Sequence, residues 1–108
     1  MKKVVAFFNR EQNLLIHIIA SILVITFGFI FNISLLEWML VILMISMVVT
    51  TELINSAIES AVDLYTKEFK PLAMVAKDVS AAAVVTAAFC ALFVGIYVFL
   101  PKIIALFK

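Results

Sequence analysis

Glycine and cysteine are nearly missing from this chain of 108 residues, and charge is scarce. Gly28 and Gly95 are its two glycines, so neither a Gly-rich phosphate loop nor a dinucleotide-binding turn can be built. Cys90 stands alone, which excludes an internal disulfide scaffold. Charged residues make up 14% and hydrophobic residues 67%, far from the balance of an ordinary soluble domain. So apolar a chain is not disordered. A net charge of +1 offers no basic surface to nucleic acid. With a mean hydropathy of +1.27, what remains is a small integral membrane protein.

Two uncharged runs, residues 12–36 and 79–101, are each long enough to cross a bilayer as a helix. Neither alternates polar and apolar residues as a barrel strand does, and a lone span must be helical to satisfy its backbone. The middle run, 38–51, is too short alone, so its helix must continue past Glu52. No Gly or Pro interrupts residues 52–65. At 1.5 Å per residue Glu52 lies roughly 21 Å along the axis from Trp38, still at membrane depth, and Glu59 roughly 32 Å along, at the headgroups. The chain thus reads as one domain over residues 1–108, with spans at about 13–33, 36–64 and 78–101. The first span lacks a small-x-small cleavage site and is long for a signal peptide, so it is expected to be retained.

Lys2, Lys3, Arg10, Lys67, Lys70 and Lys77 fall on one side of such a three-span protein, and Lys102 and Lys108 on the other. The excess of positive charge places the N-terminus and the second loop in the cytoplasm.

Glu52, Asn55, Glu59 and Asp63, spaced by three, four and four, line one face of the second helix. Three carboxylates on one stripe repel unless cations, donors or protons compensate, and oxygen-rich carboxylates are natural ligands of Mg²⁺. Glu11 directly precedes the first span, and Lys77 and Asp78 precede the third. In a bundle these ends converge into a site of Glu11, Glu52, Asn55, Glu59, Asp63, Lys77 and Asp78. Such a site suits a polyphosphate above and a lipid headgroup below: metal bridges phosphate oxygens, Lys neutralises charge, and a carboxylate takes a hydroxyl proton. Plainer readings compete. Asp63 and Glu68 read equally as a solvated helix end, Asn55 as interhelical glue, and Lys67 and Lys70 as topology signals. His17 reads as a packed, hydrogen-bonded side chain, Trp38 as an interfacial anchor, and Ser80, Ala81, Ala82, Ala83, Ala87 and Ala88 as close-packing residues. Glu52 resists a bland reading, because a carboxylate at membrane depth is costly.

The run Glu52-Leu-Ile-Asn55-Ser56-Ala57-Ile58-Glu59-Ser-Ala-Val-Asp63, followed by Ala76-Lys77-Asp78-Val-Ser-Ala81, resembles the signature of the prokaryotic diacylglycerol kinase family. Glu11-Gln-Asn13, Ile16-His17 and Glu37-Trp38 fit its undecaprenol kinase branch. The resemblance covers roughly residues 10–101. It implies an all-α membrane protein with three transmembrane helices per chain, assembled as a homotrimeric bundle with sites between protomers. It implies transfer of the γ-phosphate of ATP, with Mg²⁺, to a lipid alcohol at the cytoplasmic face of the bacterial plasma membrane. By motif position Glu52 would be the general base. Glu11 and Glu59 would hold the metal and the nucleotide, ordered by Asn55, with Asp63 in support. Lys77 and Asp78 would contact the nucleotide, as would Glu68, Phe69 and Lys70 on the loop, and Ala81 the lipid. Ten residues precede Glu11 where the family places a longer amphipathic surface helix, and Lys2, Lys3 and Arg10 would stand in for part of it.

The expected function is therefore phosphorylation of undecaprenol, with diacylglycerol as the alternative acceptor. Two readings of another class are a small ion transporter, drawn from the acidic stripe at membrane depth, and a non-catalytic membrane assembly subunit. Against the transporter, the acids gather at one end of the bundle.

Overall fold

The computed structural model describes residues 2–3 and 12–108. Among them, three long helices account for almost all of the chain: α1 (Gln12–Ile30), α2 (Leu35–Tyr65) and α3 (Pro71–Leu106). Each is long and apolar enough to cross a membrane, as the three-span reading requires. α2, with 31 residues, and α3 are both longer than a hydrocarbon layer of about 30 Å. α3 has 36 residues, about 54 Å at 1.5 Å per residue, and it starts seven positions before residue 78.

Local chemistry sets the helix ends. Asn32 adopts a left-handed φ of 53° and closes α1. The Asn32 N–H donates to Phe29 O (3.3 Å) and the Ile33 N–H to Gly28 O (3.2 Å), a Schellman arrangement with Asn in the place that Gly commonly takes. Two residues later Ser34 caps α2. Its hydroxyl accepts from the Glu37 N–H (3.2 Å), and Glu37 Oε1 accepts from the Ser34 N–H (2.9 Å), a reciprocal capping box. Thr66 ends α2, and its Oγ1 accepts from the Glu68 N–H (3.0 Å). Pro71 then opens α3 at a first-turn position where no amide donor is needed. Pro101 lies inside α3, and the helix continues past it to Leu106.

α2 is the central element. α3 packs along it closely and α1 less so. α1 and α3 diverge and leave an apolar cavity of about 540 Å³ between the three helices, with His17 among its lining residues. The interior is divided by chemistry. At the turn end, Ile33, Val41 and Val98 form an apolar core with Phe31, Trp38 and Phe99 against it. There Lys102 Nζ donates to Glu37 Oε2 (2.6 Å), tying the α1–α2 turn to the end of α3. Trp38, expected as an interfacial anchor, is half-buried; its ring lies over Gly28 and against Phe29, with centroids 4.9 Å apart. At the other end, the buried residues of α2 and α3 are polar: Glu52, Asn55, Ser56 and Ser80. Large apolar side chains cover the outside of all three helices, as a lipid-facing surface permits. Cys90 is exposed on that outer surface rather than packed within the chain.

Candidate functional site

The polar end of the bundle is built on one face of α2. Glu52 is 2% exposed, Ser56 3% and Asn55 9%, a level of burial at which polar groups are commonly compensated. The face divides between two neighbours. Toward α1, His17 Nε2 approaches Glu52 Oε2 at 3.6 Å. This is beyond hydrogen-bond length yet close enough for electrostatic pairing when the imidazole is protonated. Toward α3, Ser80 Oγ lies 2.6 Å from Asn55 Oδ1 and 2.9 Å from Lys77 O, one hydroxyl between two acceptors. With its carbonyl oxygen turned to Ser80, Asn55 presents its amide to Glu59, and Nδ2 donates to Glu59 Oε1 at 3.4 Å. One turn further out Lys77 Nζ donates to Asp63 Oδ1 (2.7 Å), joining α3 to the end of α2.

Of the residues expected to share a site, the structure links Asn55 with Glu59 and, through Ser80, with Lys77 and Asp63, and it sets Glu52 on the same face of α2 against His17. Asp78 and Ala81 lie nearby on exposed positions of α3. Glu68, Phe69 and Lys70 are exposed on the α2–α3 loop, where Lys70 Nζ sits 5.4 Å from the Tyr65 ring centroid. Glu11, expected to hold both metal and nucleotide, lies outside the described residues. His17 and Ser80 are the additions. One was read as a packed histidine and the other as a packing residue, yet they touch Glu52 and Asn55 directly. The available signals were the uniqueness of His17 as the chain's histidine and the place of Ser80 three residues after Lys77.

Among the described residues no group of three His, Cys, Asp or Glu side chains forms a cage for a metal ion. Mg²⁺ is commonly held by one or two carboxylates together with substrate phosphates and water. Glu59, a half-buried carboxylate oriented by Asn55, is a hard oxygen donor of that kind.

The family model for prokaryotic diacylglycerol kinase matches residues 1–99. The chain belongs to the prokaryotic diacylglycerol kinase family. As a member of it, the protein is a multi-pass membrane lipid kinase and a phosphotransferase. It is 41% identical over 95 residues to the undecaprenol kinase of Bacillus subtilis, covering 88% of this chain and 77% of that protein. A diacylglycerol kinase of Synechocystis is 34% identical over 100 residues, 92% of this chain and 57% of its own length. A diacylglycerol kinase of Helicobacter pylori is 56% identical over a shorter stretch of 48 residues, 44% of this chain and 38% of that one. No solved structure gives a significant match.

Proposed function

We propose that this kinase transfers the γ-phosphate of ATP to undecaprenol, at the cytoplasmic face of a bacterial plasma membrane, with its N-terminus on that side. The observation that carries the reading is the nearly inaccessible Glu52 carboxylate, paired with His17 and set one turn from Asn55 and about two turns from Glu59 on α2. The Bacillus relative, matched over most of both chains, favours undecaprenol as the acceptor.

In the proposed reaction Glu52 accepts the proton of the lipid hydroxyl. The alcohol oxygen bonds to the γ-phosphorus, the bond from that phosphorus to the β–γ bridging oxygen breaks, and ADP leaves. Glu59 and Glu11 would hold Mg²⁺, which when bound neutralises charge on the phosphate oxygens. Asn55, fixed by Ser80, keeps the Glu59 carboxylate in one orientation. Lys77, held by Asp63, would exchange that partner for a phosphate oxygen. Asp78 and the exposed Glu68, Phe69 and Lys70 would contact the rest of the nucleotide, and Ala81 the lipid. A homotrimer with composite sites fits a chain whose own core is thin and whose helices carry apolar side chains outward all around.

The second reading, diacylglycerol as acceptor, draws on the Synechocystis and Helicobacter relatives. It uses the same machinery, since both acceptors present a hydroxyl at the interface. The test is phosphorylation of undecaprenol and of dioleoylglycerol, side by side, in micelles with ATP and Mg²⁺. Faster turnover of undecaprenol, lost in Glu52→Gln, is expected. A preference for dioleoylglycerol reassigns the acceptor, and turnover by Glu52→Gln at the wild-type rate removes Glu52 as the base.

A further inference from the structure

Four hydroxyl side chains on these helices share one habit. Ser21 donates to His17 O (2.7 Å), Thr26 to Ile22 O (2.8 Å), Thr51 to Val48 O (3.0 Å) and Thr86 to Ala82 O (2.8 Å). Each uses a carbonyl three or four residues back, the cheap solution for a hydroxyl in a helix. Ser56 departs from it. Its residue is 3% exposed, and among the described residues its Oγ has no hydrogen-bond partner. Buried hydroxyls are nearly always paired, so an orphan calls for a reason.

The position supplies one. Ser56 follows Glu52 by four residues on α2, which puts it one turn further along the same buried face. On the α1 side of that face His17 both touches Glu52 and lines the apolar cavity between the helices. The cavity's lining runs up to His17 and Val48 and stops one turn short of Glu52, so a lipid whose chain fills it would put its alcohol oxygen beside His17, facing Glu52. That oxygen has one proton to give to Glu52 and lone pairs to spare. A second hydrogen bond, donated to one lone pair, fixes the direction in which the other attacks.

We infer that Ser56 is an acceptor-binding residue of the site, its hydroxyl donating to the alcohol oxygen of the lipid while Glu52 takes that oxygen's proton. The inference rests on the lipid-kinase reading above and adds to it a residue and a contact. A hydroxyl that the described residues leave without a partner gains one when the acceptor binds, so the fold carries a small cost for the benefit of binding.

That trade gives the experiment its discriminating power. Ser56→Ala removes the orphan without changing the packing appreciably, and Ser56→Thr restores a hydroxyl. Steady-state kinetics on undecaprenol and dioleoylglycerol are measured for wild type and both variants, together with the thermal midpoint in micelles. The expected result is a loss of at least tenfold in kcat/KM for the lipid in Ser56→Ala. Its KM for MgATP stays within twofold, and its thermal midpoint is unchanged or raised. Ser56→Thr is expected to regain activity to within threefold of wild type. Wild-type kinetics in Ser56→Ala overturn the inference alone, leaving the function intact. A Ser56→Ala variant whose midpoint falls in step with its activity overturns it too, because the hydroxyl then supports the fold. A wild-type protein that phosphorylates neither lipid overturns the proposed function, and this inference with it.

Discussion

His17 Nε2 stands 3.6 Å from Glu52 Oε2, and through this pair α1 reaches the buried carboxylate of α2. The contact joins the helix that packs less closely on α2 to the residue on which the proposed chemistry turns. A carboxylate at this depth gains from a nearby donor that fixes its orientation.

His17 is therefore expected to act on turnover through Glu52. His17→Leu keeps the volume and loses both ring nitrogens. It should lower kcat by about tenfold, equivalent to about 1.4 kcal/mol of barrier, and leave the KM for MgATP within twofold. His17→Gln, which returns an N–H donor, should recover part of that loss. Equal impairment of the two variants would assign His17 to packing alone.

Lys77 and Asp63 form the outer pair of the site, 2.7 Å apart and both partly exposed. Lys77→Met should raise the KM for MgATP by about tenfold, the scale of one lost charge-assisted contact to phosphate, with little change in the KM for lipid. Asp63→Asn should change it by less than about threefold, since a solvent-screened pair contributes little. An Asp63→Asn variant as impaired as Lys77→Met would show that Asp63 has a role beyond holding the lysine. Titration with MgATP at saturating lipid measures both.

The polar end of the bundle was largely legible in the sequence because charge in an apolar chain is conspicuous. Helical spacing alone placed Glu52, Asn55, Glu59 and Asp63 on one face, and the structure keeps Glu52 and Asn55 buried there. What spacing along one helix does not disclose is the neighbour. Ser80 reaches Asn55 and His17 reaches Glu52 across helices, contacts set by how α1 and α3 rotate against α2. The α1–α2 turn carried signals that went unread. Ser34-x-x-Glu37 is a capping-box pattern, and Asn32 is a residue suited to a left-handed helix stop. The pairing of Glu37 with Lys102, 65 positions apart, had no local signature at all.

That pair makes its own prediction. Glu37 serves two partners at once, one oxygen for the Ser34 amide and one for Lys102. Glu37→Gln and Lys102→Met should each lower the thermal midpoint, Glu37→Gln by more because it weakens the cap as well. In the double variant the midpoint should fall by clearly less than the sum of the two single losses, the mark of a shared interaction. The ratio of undecaprenol to dioleoylglycerol turnover should stay at the wild-type value in all three. Strict additivity of the two losses would show that the contact contributes nothing to stability.

Gly28 offers the cleanest test of packing. A Cβ built there would lie 2.6 Å from Cη2 and 2.9 Å from Cζ2 of Trp38. The obstructing atoms belong to a rigid ring that is itself half-buried and packed against Phe29, so the ring cannot yield by a simple rotation. Gly28→Ala should accordingly destabilise the fold by about 1–3 kcal/mol, the usual cost of overpacking. The gain in helix propensity from Gly to Ala, about 1 kcal/mol, offsets only part of the clash. Trp38→Leu in the same chain removes the obstruction and should recover most of the loss that Gly28→Ala adds on its own. Thermal unfolding of the two single variants and the double measures this directly. If Gly28→Ala were as stable as wild type, the close approach of α1 to Trp38 would not hold in the folded protein.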